Sequence, residues 1–281
     1  MADIQWFPGH MTKALREMEN NIKLVDMVIE LRDARLPLSS ANPELSKLGK
    51  GKLRLVLLNK ADLADIKDTE AWKAYFTKQG VECVALDSRN TSSKKLINNA
   101  VTKLSKEKKE RDLKRGIKNR PVRAMVAGIP NAGKSTFINM FAGKSSAKTG
   151  DKPGVTKGTQ WIRLSKELEL LDTPGVLWPK FEDEDTAYRL AMTGAIKRDN
   201  LDMELLAIKA IDILKNKYPG RLSERYGIEE DGASLSLLKA IAVKRGALKK
   251  GGEEDTLKAS ELLYDELRTG KLGRLTLEIP E

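Results

Sequence analysis

The sequence is poor in the residues that build metal and disulfide sites. Its 281 residues include one cysteine, Cys83, and one histidine, His10. One cysteine cannot form an intrachain disulfide, and the two residues together cannot build a structural zinc site. A Ser-His-Asp triad would have to use His10, which no nucleophile-elbow sequence surrounds. No apolar run is long enough to span a membrane, and residues 1–6 show no secretory signal. We therefore expect a cytoplasmic protein.

Positive charge is abundant and unevenly distributed. The net charge is +11, and residues 1–182 hold 34 Lys and Arg against 21 Asp and Glu, while the remainder holds 17 against 19. Residues 103–120 carry nine positive and three negative side chains. A second basic cluster, free of acids, consists of Lys239, Lys244, Arg245, Lys249 and Lys250. Such an excess indicates an anionic partner such as RNA, although lysine-rich helices also serve solubility alone.

Short apolar runs alternate with helical patterns in the first part of the chain. Strands are expected at 25–31, 53–58, 81–86, 122–127, 159–164 and 167–171. This alternation predicts an α/β domain over 1–180, with a mostly parallel sheet in a three-layer arrangement. Beyond it, helical periodicity at 185–193, 203–217, 233–248 and 255–269 predicts a small all-α domain over 181–281.

Residues 128–135 read G-I-P-N-A-G-K-S, which matches the phosphate-binding P-loop pattern G-x-x-x-x-G-K-[ST]. The match follows a predicted strand and opens a predicted helix, where backbone N–H groups can reach phosphates. Lys134 would contact the β- and γ-phosphates, and Ser135 would bind Mg²⁺. The alternative is a plain glycine turn before a helix. The residues expected around the phosphates are Asn131, Ala132, Gly133, Lys134, Ser135 and Thr136.

Asn59-Lys60-Ala61-Asp62 follows the second predicted strand and matches N-K-x-D, the guanine-reading motif of GTPases. The carboxylate of Asp62 can accept hydrogen bonds from guanine N1–H and the 2-amino group, a pair that adenine does not offer. Asn59 would orient the loop, and the stem of Lys60 would cover the ring. Asp87-Ser88-Arg89 occupies the place of a third guanine loop but departs from its S-A-[KL] consensus; a backbone N–H near Ser88 would contact guanine O6.

Two further motifs predict contacts around the γ-phosphate. Asp172-Thr173-Pro174-Gly175 matches D-x-x-G, with Asp172 acting through Mg²⁺ and the N–H of Gly175 sensing the phosphate. Thr156 would bring its hydroxyl to Mg²⁺ as the switch threonine. Along the chain, N-K-x-D precedes the P-loop, the reverse of the usual GTPase order, which predicts a circularly permuted domain. The all-α domain directly follows D-x-x-G, so we expect a γ-phosphate-dependent move at Gly175 to shift it.

The permuted order, residues 6–11 (W-F-P-G-H-M), Asp33-Ala34-Arg35 and the helical C-terminal part together resemble the YlqF/RbgA ribosome-biogenesis GTPases. The resemblance implies a GTP- and GDP-binding bacterial factor that acts late in assembly of the large ribosomal subunit. It also implies that the subunit stimulates hydrolysis and that the helical domain contacts rRNA. The YjeQ and YqeH types of permuted GTPase carry zinc sites, which a single cysteine excludes.

The motifs do not include the glutamine that usually orients the attacking water in GTPases. Val176 stands where many GTPases have a glutamine that orients water, so another group must do so. His10, in the family's F-P-G-H motif, is the candidate; the alternative is a surface or capping residue. Asn131 resembles the P-loop asparagine of potassium-dependent GTPases, where the side chain binds K⁺; the alternative is a turn residue.

Two other functions stay open on the sequence alone. A signalling or transport GTPase would act as a GTP-binding regulatory protein on a protein or membrane partner, although no lipidation motif is present. A binding module would use GTP as a structural clamp. The leading interpretation is a monomeric GTPase without stable membrane association, with the large subunit and rRNA as partners.

Overall fold

The computed structural model describes residues 9–118, 120–142, 160–173, 177 and 183–280, with the backbone alone for residues 9–14, 142 and 160. The chain divides into two compact units. The sheet unit comprises Phe7–Lys180 and Glu278–Glu281, and the helical unit comprises Met1–Trp6 and Phe181–Leu277.

A six-stranded sheet forms the centre of the sheet unit. Its strands are β1 (Met27–Asp33), β2 (Leu53–Asn59), β3 (Glu82–Ala85), β4 (Val122–Gly128), β5 (Gln160–Arg163) and β6 (Leu168–Asp172). The order is β3-β2-β1-β4-β6-β5, and every neighbouring pair is parallel except β5 with β6. The mostly parallel α/β sheet predicted from the sequence is confirmed.

Helices cover this sheet, as the burial of its central strand requires. All seven residues of β1 are buried, the pattern of a parallel strand with both faces covered. The helices described in this unit are α1 (Gly9–Asn21), α2 (Pro43–Leu48), α3 (Ile66–Lys78), α4 (Ser93–Lys114) and α5 (Lys134–Ala142). Val56 and Leu58 of β2 pack against Trp72 and Phe76 of α3 in one apolar cluster.

The basic run 103–120 lies largely within α4, a 22-residue helix. No helix was predicted here, because the many charged side chains hide the apolar period. The buried positions Ile97, Ala100, Val101 and Ser105 recur at helical spacing and face the sheet unit's core. The helix therefore presents its charges on the opposite face.

The last residues of the chain are anchored to the sheet unit by Glu278. Its carboxylate accepts hydrogen bonds from the backbone N–H of Leu38 and of Ser39, the latter at 3.1 Å, and from the Ser39 hydroxyl at 2.5 Å. The buried Trp72 donates its indole N–H to the Glu278 backbone oxygen at 3.4 Å. This tail thus holds the loop that follows β1.

The described part of the helical unit contains five α-helices: α6 (Glu184–Met192), α7 (Met203–Lys217), α8 (Arg221–Tyr226), α9 (Ser234–Lys244) and α10 (Thr256–Thr269). Aspartates begin three of them, with side chains that accept from backbone N–H groups of the first turn: Asp183, Asp202 and Asp255. Glu266 joins α8 to α10 by accepting from Arg225 and Tyr226. Across the described residues, no helix is long and apolar enough to cross a membrane.

Candidate functional site

Parallel pairing brings the sequence motifs to one edge of the sheet. The register aligns Asp33 with Asn59, Leu31 with Gly128, and Val126 with Asp172. Each of these strands therefore ends at the same edge, although the motifs are far apart in the chain. Ligands of open α/β sheets bind at this carboxyl edge, so the permuted order still assembles one site.

The P-loop backbone requires glycine at both ends of its pattern. A Cβ on Gly128 would lie 2.5 Å from the Leu31 carbonyl oxygen, and a Cβ on Gly133 would overlap the Asn59 amide. Gly133 also has a φ of 91°, and Asn131 is a non-glycine residue with a φ of 59°. Asparagine tolerates this left-handed conformation better than most residues. The loop thus packs directly against the N-K-x-D segment.

Asn59 ties the P-loop to both guanine loops. Its Nδ2 donates to the Ala132 carbonyl at 2.7 Å, and its Oδ1 accepts from the Ser88 backbone N–H at 3.0 Å and from the Ser88 hydroxyl at 2.6 Å. Asn59 and Ser88 are buried. One amide therefore holds together three loops from β4, β2 and β3. The N–H of Ser88 is engaged in this network, so a donor to guanine O6 has to come from a neighbouring residue.

Asp62, the residue expected to read guanine, lies beside an arginine. Arg89 Nη2 donates to Asp62 Oδ2 at 2.6 Å and to Asp87 Oδ2 at 2.9 Å. The hydrogen bond from Arg89 lowers the pKa of Asp87, and those to Asp87 and Asp62 raise the pKa of Arg89. The Arg89 side chain is 68% exposed, so this cluster lies at the surface of the site. Sequence analysis had given Arg89 no partner.

Lys134 and Asp172, predicted for phosphate and Mg²⁺, form a buried ion pair. The Lys134 Nζ to Asp172 Oδ1 distance is 3.0 Å, with side chains 6% and 1% exposed. The neighbouring Thr173 donates its hydroxyl to the Val126 carbonyl at 2.7 Å, which fixes the end of β6 beside β4. The sheet therefore brings the P-loop lysine and the D-x-x-G aspartate into contact.

The residues at this edge fit a divalent cation. Asp172 Oδ2 is buried without a hydrogen-bond partner among the described residues, and a buried carboxylate oxygen in that position can bind Mg²⁺ directly or accept a hydrogen bond from a water bound to it. Ser135, a predicted hydroxyl ligand, directly follows Lys134 in the first turn of α5. We conclude that the donor set suits Mg²⁺.

A second buried acid at the edge, Asp33, was not assigned a role by sequence analysis. Its carboxylate accepts from Arg35 Nε at 2.9 Å, from Arg35 Nη2 at 2.8 Å and from Lys60 Nζ at 3.0 Å. Burial alone would raise the pKa of Asp33, but the two cations outweigh it and hold the pKa well below its usual value. The sequence signal that could have indicated a role for Asp33 is an acidic residue at the end of an apolar strand, in the strand that precedes the one before N-K-x-D.

Several predicted residues lie outside what the structure describes. Thr156, Gly175 and Val176 are not among the described residues, and His10 is described as backbone at the start of α1. Their roles therefore stay predictions, as does the dependence of the helical domain on Gly175.

Known proteins are similar to this chain in sequence and in fold. The family model described as 50S ribosome-binding GTPase matches residues 123–229. A ribosome biogenesis GTPase A from Bacillus cereus is 50% identical over 279 residues, which cover 99% of this chain and 94% of that protein. The chain belongs to the ribosome biogenesis GTPase A family.

Solved structures support the same assignment. GNP-bound YlqF from Thermotoga maritima matches with a TM-score of 0.70 and 30% identity, covering 96% of this chain and 99% of that chain. The GDP-bound form of T. maritima YlqF matches with a TM-score of 0.68 and 29% identity, covering 94% and 99%. The resemblance to YlqF/RbgA and the P-loop GTPase fold are therefore confirmed, and the chain is a GTPase of ribosome biogenesis.

Proposed function

We propose that this ribosome biogenesis GTPase binds the large ribosomal subunit through rRNA, acts late in its assembly, and hydrolyses GTP faster when bound to it. The observation that supports the nucleotide part most directly is the Asn59 network, which joins the P-loop to both guanine loops. The description of the matching family, 50S ribosome-binding GTPase, supports the choice of subunit.

Different residues of the site bind the guanine base and the phosphates. Asp62 reads guanine, Lys60 covers the ring, and the backbone of the P-loop with Lys134 holds the β- and γ-phosphates. YlqF of T. maritima, whose two structures carry GNP and GDP, supports guanine nucleotides as the ligands. The wider set proposed at this site comprises Ala61, Asp87, Ser88, Asn131, Ala132, Gly133, Thr136 and Gly175.

Metal ions complete the phosphate side of the proposed site. Ser135, Thr156 and Asp172 would hold Mg²⁺, which neutralises charge on the phosphates when bound. Asn131, held at a φ of 59° in the loop, would bind K⁺ and supply a further positive charge. Equal turnover in K⁺ and Na⁺ would remove the second ion from the proposal.

His10 is the proposed water-orienting residue because Val176 cannot hydrogen-bond water. Its imidazole would accept a proton from the attacking water or hold that water in line. His10→Ala should keep GTP binding and lose the stimulated part of turnover. Stimulated turnover equal to that of the wild type would exclude His10.

Two basic clusters are candidates for rRNA, and their ion pairing differs. In 103–120, Lys103, Lys108 and Lys109 pair with Glu82, Asp112 and Glu167 at 2.6–2.8 Å. In the second cluster, Lys239, Lys244, Lys249 and Lys250 make no ion pair with any described residue, whereas Arg245 lies 3.6 Å from Glu266. Unpaired lysines are available to phosphates, and all four lysines of the second cluster are unpaired among the described residues, against three of the six in 103–120. We therefore propose the second cluster as the main rRNA contact.

The cluster assignment has a matched test. Lys244→Glu, Lys249→Glu and Lys250→Glu together should weaken subunit binding and flatten its salt dependence. The control set reverses the charge of three lysines in 103–120 that also lack ion pairs to described residues: Lys106→Glu, Lys114→Glu and Lys118→Glu. A larger loss from the control set would transfer the contact to α4.

The central experiment measures GTP turnover in K⁺ and Mg²⁺ for the protein alone, with large subunits and with small subunits. We expect stimulation by large subunits only. If neither subunit raises turnover while GTP still binds, stimulation by the mature large subunit is contradicted, and the activator has to be sought among immature particles, lipid or a protein partner.

A further inference from the structure

The end of β1 carries a buried acid that touches the guanine motif without being part of it. Asp33 is 1% exposed and aligned with Asn59 across the parallel β1–β2 pair, and the Ala34 N–H donates to the Asn59 carbonyl at 2.8 Å. This placement puts the Asp33 carboxylate next to Lys60, one residue beyond β2.

Arg35 orients that carboxylate. The guanidinium donates through Nε to Asp33 Oδ1 at 2.9 Å and through Nη2 to Asp33 Oδ2 at 2.8 Å. This two-point contact fixes the orientation of the carboxylate. The Asp33 backbone N–H donates to the Ser40 hydroxyl at 3.1 Å, which ties the acid to the following loop. With its orientation set, Asp33 presents Oδ2 to Lys60 Nζ at 3.0 Å.

Lys60 is held at both ends of its side chain. Its backbone has a φ of 60°, a left-handed conformation that is unusual for lysine, and its ammonium group is bound by Asp33. The side chain is 25% exposed, so part of its stem borders the surface of the site. A long flexible stem fixed before the ligand arrives loses less freedom on binding.

We propose that Asp33 is a positioning residue for guanine nucleotide binding: it captures the Lys60 ammonium and thereby holds the Lys60 stem where it covers the guanine ring. Asp33 acts through Lys60 and does not touch the nucleotide. This inference rests on the proposed binding of GTP and GDP, and it gives the Asp33-Ala34-Arg35 segment a task in the same site.

A double-mutant cycle tests the coupling. The dissociation constants of GDP and GTP are measured with Mg²⁺ for the wild type, Asp33→Asn, Lys60→Met and the double variant. Each single variant should weaken both nucleotides about tenfold, and the double variant should be no weaker than either. Losses that multiply to about a hundredfold in the double variant would overturn the proposal, because they would show that Asp33 acts independently of Lys60.

Glu30 supplies a matched control on the same strand. It is buried at 2% and paired with Arg32 at 2.8 Å, but no described contact links it to Lys60. Glu30→Gln should lower the thermal midpoint as Asp33→Asn does and leave GDP affinity within about twofold. If Glu30→Gln weakens GDP as much as Asp33→Asn, disturbance of β1 explains the effect and the proposal fails.

Lys60→Met keeps the test valid if Asp33→Asn does not fold. It retains the stem and the Asp33–Arg35 pair and removes only the captured ammonium. GDP affinity equal to that of the wild type would overturn the proposal, whereas a tenfold loss supports it. If the wild-type protein binds no guanine nucleotide, the proposed function itself is wrong. If the wild type binds and only the Asp33 prediction fails, the proposed function stands.

Discussion

The guanine side and the phosphate side of the site are held by different kinds of interaction. On the guanine side, the Asn59 amide makes three neutral hydrogen bonds that join the loops to one another. On the phosphate side, Lys134 and Asp172 hold each other, and both are residues that we assign to the ligand. We therefore expect the guanine loops to be built before binding and the phosphate side to rearrange on binding.

The largest effect is expected at the ion pair. Lys134→Ala should reduce turnover at saturating GTP by about 10²- to 10³-fold, since a charge aimed at the phosphates is lost. It should also lower the free energy of unfolding by about 3–5 kcal/mol, because the Asp172 carboxylate stays buried without its partner. Turnover and urea denaturation measure the two losses.

The double variant Lys134→Ala with Asp172→Asn separates these losses. It should recover most of the unfolding free energy and none of the turnover, because it removes the unpaired charge without replacing the lysine. Recovered turnover would contradict the role of Lys134.

The next effect concerns base selection. Asp62→Asn should weaken GTP binding by about a hundredfold, because the 2-amino group of guanine then meets an amide donor in place of an acceptor. Xanthosine triphosphate, which has a carbonyl there, should bind the variant better than GTP does. Competition binding gives both affinities. Asp87→Asn is the control, and it should leave the preference for GTP in place.

A smaller effect is expected for the hydrogen-bond network. Asn59→Ala removes three bonds and leaves the Ala132 carbonyl and Ser88 N–H without a partner, which should lower the unfolding free energy by about 2–3 kcal/mol. GDP and GTP should both dissociate about tenfold faster, since the network acts on the guanine side. Stopped-flow release measures this. Asn90→Ala is the control, since it removes only an exposed hydrogen bond that the Ser92 N–H donates within a turn. If Asn59→Ala speeds the release of GTP but not of GDP, the network does not act on the guanine side alone.

The smallest effect is expected at Arg89. Its side chain is 68% exposed, and exposed ion pairs contribute less than about 1 kcal/mol. Arg89→Ala should therefore change GDP affinity less than about fivefold, and the change should shrink further at high salt. Titrations at low and high salt check this, and a loss as large as that of Asp62→Asn would assign Arg89 to guanine recognition.

The parts of the fold that could be predicted are those encoded locally. The apolar runs that became β1, β2 and β4 are bounded by polar residues, and the P-loop pattern lies between a strand and a helix. Two six-residue helices, α2 and α8, were not predicted because they are too short to show a period. Helix α4 was not predicted because the charges of its second half obscured the apolar face.

In the candidate site, too, local motifs could be predicted and contacts between distant residues could not. Motif chemistry predicts Asn59, Asp62, Lys134 and Asp172 as site residues, and their roles stay predictions. The contact of Asp33 with Lys60 joins residues 27 positions apart through strand register, and Glu278 reaches Ser39 across 239 positions. Such contacts depend on how the elements pack, which no spacing rule along the chain encodes.

The anchored tail gives the molecule an internal optical probe. Trp72 is 1% exposed, and its indole N–H is bonded to the backbone of Glu278, so seating of the tail changes the polarity around one defined fluorophore. With the other three tryptophans changed to phenylalanine, the emission maximum of Trp72 would report tail release without any attached dye. A label or fusion partner placed after Glu281 would be read out by the same signal.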